Sequence, residues 1–200
     1  MKAQIKKLSD VTLINPRRPS IKRFDDAPTS FIPMDSVDAI LGKTLQLRSE
    51  PFSKVKKGYT YFENGDVIFA KITPCMQNGK HAVLSGLIDG FGFGSTEFHV
   101  IRATDEIIPE WIHFYLRRKE TLDEATRTFT GAVGQQRVPA SFLENLKIPL
   151  PSVEKQRQIA ERLKNQLAEV EKARRATRAQ LNDISKLPNA LIAQAFEIGE

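Results

Sequence analysis

Residues 152–187 contain no glycine, no proline and no aromatic residue, and this segment restricts the fold most strongly. It follows Pro149-Leu150-Pro151-Ser152, where Ser152 is a natural N-cap. The pattern predicts one long helix that begins after Ser152 and ends at Pro188. Residues 189–198 are predicted to form a short separate helix that packs back through Leu191, Ala195 and Phe196.

The long segment also carries a heptad pattern. Counted from Ala160, six of the eight core positions are apolar, and a polar pair interrupts the middle. A stripe of this length favours a coiled-coil seam and a homodimer. An amphipathic helix lying on its own domain is the alternative. The predicted dimerisation residues are Ala160, Leu163, Leu167, Val170, Arg174, Thr177, Leu181 and Ile184.

Residues 1–150 have a different texture, with short apolar runs between turn signals. Strands are predicted at 66–72, after the turn pair Asn64-Gly65, and at 81–84 and 97–101. Gly86, Gly90, Gly92 and Gly94 are assigned to turns or a loop. Helices are predicted from Pro109 and over 120–129. The sequence therefore predicts an α+β domain over 1–150 and a helical region over 151–200.

The positive charge is concentrated near the N-terminus. The net charge is +6. Residues 1–60 carry twelve Lys and Arg against six Asp and Glu, while the rest of the chain is balanced. Such a surface is typical of nucleic-acid binding, and a solvated face is the alternative. The clustered cations are Arg17, Arg18, Lys22, Arg23, Lys54, Lys56 and Lys57.

Composition favours a cytoplasmic protein that does not enter a membrane. Cys75 is the only cysteine, so no disulfide can form within the chain. No apolar run approaches the length of a membrane-spanning helix, and residues 1–7 lack the apolar centre of a signal peptide.

No catalytic or metal-binding constellation stands out. His81, His99 and His113 lack ligand spacing, and each is interpreted as an ordinary strand or helix residue. Gly92 and Gly94 form only an isolated Gly-x-Gly, which does not open a helix after a strand as nucleotide-binding loops do. We therefore expect neither enzyme activity nor a bound metal.

Two polar stretches between turn formers are candidate DNA-reading loops, residues 71–80 and 130–139. Amide and guanidinium side chains recognise base edges, and lysines contact phosphates. Polar turns that cap the local backbone are the alternative. The candidate residues are Lys71, Thr73, Gln77, Asn78, Lys80, Gln135, Gln136 and Arg137.

These stretches belong to a series of sequence blocks: residues 65–80, 92–98 and 134–139, then 148–151 running into 154–159, and finally 187–196. In content and order the blocks resemble the specificity (S) subunit of type I restriction–modification systems. Residues 1–60 match this family only loosely.

The resemblance implies a subunit that reads double-stranded DNA through residues 1–150, its target-recognition domain, and has no catalytic centre or cofactor. Modification (M) subunits would hold S-adenosylmethionine and methylate adenine, and a restriction (R) subunit, where present, would use ATP and Mg. S subunits of this family have two recognition domains and two conserved helices, whereas this chain has one of each. A half-length or truncated form that pairs antiparallel with a second copy is therefore expected.

The function expected from the sequence is DNA recognition at a split site that positions partner M and R subunits. Two alternatives stay open: a fragment that assembles without reading DNA, and an enzyme in its own right. DNA binding by the dimer would distinguish the first alternative, and an activity assay would distinguish the second.

Overall fold

The computed structural model describes residues 4–132 and 134–197. The chain divides into two compact units, Met1–Arg157 and Gln158–Glu200. The first unit is a mixed α/β domain, and the second is helical over its described residues. The predicted α+β class with a long C-terminal helix is confirmed.

The described residues form twelve strands and five α-helices. The strands are β1 (Gln4–Lys7), β2 (Thr12–Ile14), β3 (Pro28–Ile32), β4 (Val37–Asp38), β5 (Lys43–Thr44), β6 (Arg48–Pro51), β7 (Thr60–Glu63), β8 (Val67–Ala70), β9 (His81–Val83), β10 (Phe91–Gly94), β11 (Phe98–Ala103) and β12 (Lys147–Leu150). The helices are α1 (Phe52–Val55), α2 (Pro109–Leu116), α3 (Lys119–Thr126), α4 (Ala140–Asn145) and α5 (Val153–Glu197).

Two four-stranded sheets form the centre of the first unit. One has the order β6-β3-β10-β7, in which β10 runs parallel to β3 and the other pairs are antiparallel. The other has the antiparallel order β2-β11-β8-β9. Strands β1 and β12 pair separately, as do β4 and β5.

Strand β8 shows how the layers pack, because all four of its side chains are buried. Successive side chains of a strand point to opposite faces. Val67 and Phe69 accordingly belong to a core cluster shared with helices α2, α3 and α4. Ile68 and Ala70 belong to a second cluster, shared with strands of the other sheet. A third cluster, around Phe93, lies against α1.

Several predicted elements are confirmed with small shifts in their ends. The predicted strands at 66–72, 81–84 and 97–101 correspond to β8, β9 and β11. Helix α2 begins at Pro109 as expected, and α3 occupies most of 120–129. Asn64 and Gly65 form the predicted turn before β8, with Gly65 at a φ of 86°.

Gly92 and Gly94 were wrongly assigned to a turn or loop, because they lie inside β10. A Cβ at Gly92 would lie 2.7 Å from the Ser30 carbonyl oxygen and 2.9 Å from the Phe62 ring. A Cβ at Gly94 would overlap the Ile32 carbonyl oxygen. These glycines therefore let β10 lie close to both the β3 backbone and the Phe62 ring.

Helix α5 begins where the sequence predicts, and the Ser152 hydroxyl accepts a hydrogen bond from the Lys155 amide at 3.4 Å. It does not end at Pro188, which lies inside the helix. Proline removes one backbone hydrogen bond. Here residues 184–192 are exposed, so water can hydrate the freed carbonyl, and strong helix formers flank the proline.

The prediction of a separate helix that packs back is also wrong. Leu191, Ala195 and Phe196 are exposed on the continuous helix, and residue 198 lies outside the described residues. Across the described ranges, no helix is long and apolar enough to cross a lipid bilayer.

Candidate nucleic-acid interface

The three basic clusters predicted from the sequence come together in the structure. Residues 16–27, which form no helix or strand, lie beside residues 52–59. The Phe52 amide donates to the Ala27 carbonyl at 3.0 Å, and the Ser53 amide donates to the Asp25 carbonyl at 2.8 Å. We call these two segments the basic surface. They contain seven Lys and Arg against two Asp.

Three of these cations are engaged within the domain. The Arg18 guanidinium donates to the Lys56 carbonyl and lies 5.4 Å from the Phe93 ring centroid. The Arg23 guanidinium contacts Asp89 at 2.5 Å and lies 5.2 Å from the Phe91 ring centroid. The Lys56 ammonium contacts Asp25 at 2.5 Å. Their interactions attach residues 16–27 to the sheet and to α1.

Arg17, Lys22 and Lys57 differ from that group. All three are exposed, and no ion pair joins them to any part of the chain that the structure describes. Lys54, the remaining cation, lies 3.6 Å from Glu50. The basic surface therefore offers at least three cations to an anionic partner without breaking an internal ion pair.

The two predicted reading loops are also brought together. The Thr73 amide donates to the Gln136 carbonyl at 3.0 Å, and the Val138 amide donates to the Lys71 carbonyl at 2.9 Å. We call residues 71–80 with the described residues of 130–138 the loop pair. Both loops were predicted from the sequence, but the hydrogen bonds that join them were not.

Glu97, to which the sequence analysis gave no site role, ties the loop pair together. Its carboxylate accepts from Arg137 Nε at 2.9 Å and from Arg137 Nη2 at 2.7 Å. Its carbonyl accepts from the Lys71 amide at 2.9 Å. The hydrogen bonds from Arg137 lower the pKa of Glu97, so this carboxylate stays charged at neutral pH.

His99 supports the loop pair from β11. Its Nε2 lies 2.8 Å from the Val138 carbonyl, and its Nδ1 lies 3.1 Å from Asn15 Nδ2. Because a carbonyl can only accept, Nε2 carries the proton and Nδ1 accepts from Asn15. Burial lowers the pKa of His99 and favours this neutral form.

The other predicted loop residues divide by exposure. The Lys80 ammonium donates to the Met34 carbonyl at 2.9 Å, so it supports the loop from inside. The Thr73 hydroxyl is buried, with no hydrogen-bond partner among the described residues. Lys71 and Gln136 are half-buried, and the exposed residues are Gln77, Asn78 and Gln135.

The histidines form one contact that spacing did not reveal. His81 on β9 and His113 on α2 face each other in the interior, with their Nδ1 atoms 3.2 Å apart. The sequence predicts each as an ordinary strand or helix residue, and nothing in their separation along the chain signals the pair. Over the described ranges, no group of three or more His, Cys, Asp or Glu is placed to hold a metal ion.

The predicted seam on α5 is largely open to solvent. Leu167, Val170, Leu181 and Ile184 are exposed, Leu163 is half-buried and Ala160 is buried. Arg174 and Thr177 make local contacts on the helix, to Glu171 at 3.5 Å and to the Ala173 carbonyl at 3.0 Å respectively.

Solved structures of type I systems share this fold. The HsdS subunit from Thermoanaerobacter tengcongensis superposes with a TM-score of 0.71 at 23% identity, over 92% of this chain and 46% of that one. A chain from a structure describing complex assembly and conformational transition of the type I R-M system superposes with a TM-score of 0.79 at 22% identity, over 97% of this chain and 49% of that one.

Two proteins of Escherichia coli are similar in sequence. The type I restriction enzyme EcoAI specificity subunit is 40% identical over 139 residues, which are 69% of this chain and 24% of that protein. The EcoEI specificity subunit is 38% identical over 154 residues, 76% of this chain and 25% of that protein. The chain thus spans about a quarter of the length of these relatives.

The family model described as the type I restriction modification DNA specificity domain matches residues 2–179. This match covers the basic surface, the loop pair and most of α5. The resemblance seen in the sequence blocks is therefore confirmed: the chain belongs to the family of type I restriction modification DNA specificity domains.

Proposed function

We propose that this chain reads one half of a split site in double-stranded DNA and thereby positions partner methyltransferase subunits. The observation that carries the proposal is the convergence of three separate basic clusters on one surface. Among the described residues, Arg17, Lys22 and Lys57 have no ion-pair partner. Lysine and arginine on one face supply the sequence-independent part of DNA affinity.

Phosphate anchoring and base reading are assigned to different residues. Arg17, Lys22, Lys57 and Lys54 contact phosphates, while Arg18, Arg23 and Lys56 hold the surface in place. Base edges are read by the exposed amides Gln77, Asn78 and Gln135, because Asn and Gln make paired hydrogen bonds with adenine in the major groove. Arg137 and Lys80 position the loop pair through Glu97 and Met34.

In this proposal a partner subunit carries out methyl transfer. By family resemblance, M subunits would hold S-adenosylmethionine and extrude the target adenine, and an R subunit, where present, would use ATP and Mg. The exposed apolar positions of α5 support a pairing role, in which α5 associates with a second copy of this chain and contacts the M subunits.

Fluorescence anisotropy with a labelled 20-bp duplex of mixed sequence, titrated at several salt concentrations, tests the anchoring. Each phosphate contact removed should reduce the slope of log affinity against log salt by about 0.9. The triple variant Arg17→Gln, Lys22→Gln, Lys57→Gln should therefore bind more weakly and with a flatter slope. The matched control replaces Arg127, Lys147 and Lys164, three exposed cations elsewhere, by Gln.

The outcomes separate the candidate functions. Equal slopes for the two triple variants would place the DNA surface elsewhere. A wild-type chain that forms a dimer but binds no duplex would favour a fragment that assembles without reading DNA.

A second experiment tests the loops. Gln77→Ala with Asn78→Ala should change the methylated motif that the complex recognises, whereas the triple variant should weaken binding to all sequences alike.

A further inference from the structure

Phe24 protrudes from the basic surface, and its side chain is 84% exposed. We infer that its ring inserts at a base step of bound DNA and stacks on an exposed base. This inference rests on the proposed function, because it assigns a base contact to the same surface. Phe24 has no role in the phosphate contacts or in the loop pair described above.

The backbone around Phe24 is fixed on both sides. On one side, Arg23 is held between Asp89, the Pro28 carbonyl and the Phe91 ring, with only 11% of its side chain exposed. On the other side, Asp25 accepts from the Ser53 amide through its carbonyl and from Lys56 through its carboxylate. The exposed ring is therefore presented from a rigid support.

The turn itself adds a further constraint, because the Ala27 amide donates to the Phe24 carbonyl at 3.2 Å. An open recess adjoins the ring and is bounded by Lys22, Ala27, Pro28 and Ile88. A protruding apolar ring beside a recess leaves room for a flat group to lie against the phenyl face.

The surrounding charge indicates what that flat group is. Lys22 lies two residues before Phe24 and is exposed without an ion pair in the described structure, and Arg17 belongs to the same segment. Cations next to an aromatic ring suit a polyanion with planar bases, since the cations contact phosphates while the ring stacks. Apolar side chains that enter DNA between base pairs act in this way, by partly unstacking a step.

A mispaired base is cheaper to unstack than a paired one. The probes are therefore two 20-bp duplexes, identical except for a single central mismatch. The wild-type chain should bind the mismatched duplex more tightly, by at most roughly a hundredfold, because the energy of one base–aromatic stack is the upper limit of this preference. Phe24→Ala should bind both duplexes equally while keeping the wild-type dependence on salt.

Phe196 provides a matched control, because it is also a phenylalanine and is 85% exposed, but lies on α5. Phe196→Ala should keep the preference for the mismatch. A second variant, Phe24→Trp, should keep the preference, and its fluorescence should be quenched by the mismatched duplex beyond any change in wild-type protein, which has Trp111 alone.

Four results would overturn the inference. If Phe24→Ala keeps the mismatch preference, or if Phe24→Trp is not quenched, the ring does not stack on a base and is free to contact a protein partner instead. If the wild-type chain binds neither duplex, the proposed function fails together with the inference. Binding of both duplexes with equal affinity by the wild-type chain would remove only the inference.

Discussion

The Nδ1 atoms of His81 and His113 lie 3.2 Å apart in the interior, between β9 and α2. One ring must donate and the other must accept, so the accepting ring is neutral. Burial, together with the charge of Arg117, lowers the pKa of His113 from 6.5 to about 3. Burial likewise lowers the pKa of His81 well below its ordinary value, with His113 and Arg117 contributing.

This pair makes stability depend on pH in a defined direction. The unfolded chain takes up protons on these histidines below about pH 6.5, whereas the folded chain does not until the pH is much lower. The free energy of unfolding should therefore be level above pH 7.5 and fall as the pH decreases from 6.5 to 5. The slope should approach about 1.4 kcal/mol per pH unit for each histidine.

Urea unfolding at pH 8, 7, 6 and 5 measures this dependence. His113→Gln keeps a polar partner for His81 but removes one titrating group. It should therefore reduce the slope of unfolding free energy against pH by about 1.4 kcal/mol per pH unit. A variant with the wild-type slope would mean that His113 is protonated in the folded state.

The two hydrogen bonds from the Arg137 guanidinium to the Glu97 carboxylate should hold the two loops of the loop pair together. Arg137→Lys loses the two parallel hydrogen bonds, because an ammonium group is a point donor. Hydrogen exchange of the Thr73 and Val138 amides, which cross between the two loops, should become faster in this variant. Arg127→Lys, at an exposed arginine just before the second loop, should leave both rates unchanged.

The exposed apolar positions of α5 should mediate self-association. Burying each leucine of a seam contributes about 1.5–3 kcal/mol. Wild-type protein at tens of micromolar should therefore sediment as a dimer, and the double variant Leu167→Glu, Leu181→Glu as a monomer. Gln166→Glu with Gln180→Glu adds the same charge one residue away and should stay dimeric. A monomeric wild-type chain would contradict the proposed pairing.

An antiparallel pair of identical chains should read an inverted repeat around a spacer. Helix α5 has 45 residues, about 68 Å at about 1.5 Å per residue, so reading domains at opposite ends cannot touch adjacent bases. Deleting residues 169–175 removes one heptad, about 10.5 Å, and should shorten the accepted spacer by about three base pairs at about 3.4 Å each.

Mapping methylated adenines in cells that carry the variant and its M partner measures the spacer. The half-sites should stay the same when the spacer changes. A continuous or asymmetric motif would mean that the chain pairs with a different partner or that α5 does not set the distance.

Local patterns predicted those elements whose signals lie close together in the sequence. The turn Asn64-Gly65, the helix start at Pro109 and the N-cap Ser152 each depend on a few neighbouring residues, and the structure has all three. The predicted helix end at Pro188 was wrong, because the helix formers around this proline outweigh its local signal for a helix end. The predicted turn at Gly92 and Gly94 was wrong, because these glycines serve the close approach of β10 to β3 and to Phe62, which are distant in the sequence.

In the candidate site, too, local features were predictable from the sequence and long-range contacts were not. Its residue types and clusters were visible in the sequence, but the contacts between them join positions far apart along the chain. The hydrogen bonds from the amides of residues 52–53 to the carbonyls of Asp25 and Ala27 depend on how the two sheets order their strands. The same holds for the paired hydrogen bonds from Arg137 to Glu97. Phe24 had no signal at all, since what distinguishes it is its exposure within the basic surface, which only the structure shows.

Residues 16–24 form no helix or strand, and among them only Ile21 packs against an apolar cluster of the domain. Most of their remaining contacts are made by arginine side chains on the outer face of a sheet that is complete without them. Exchanging the exposed residues of this segment therefore costs little folding free energy. Under the proposed function, a chain built in this way can acquire a new DNA target while the sheets that support this segment stay unchanged.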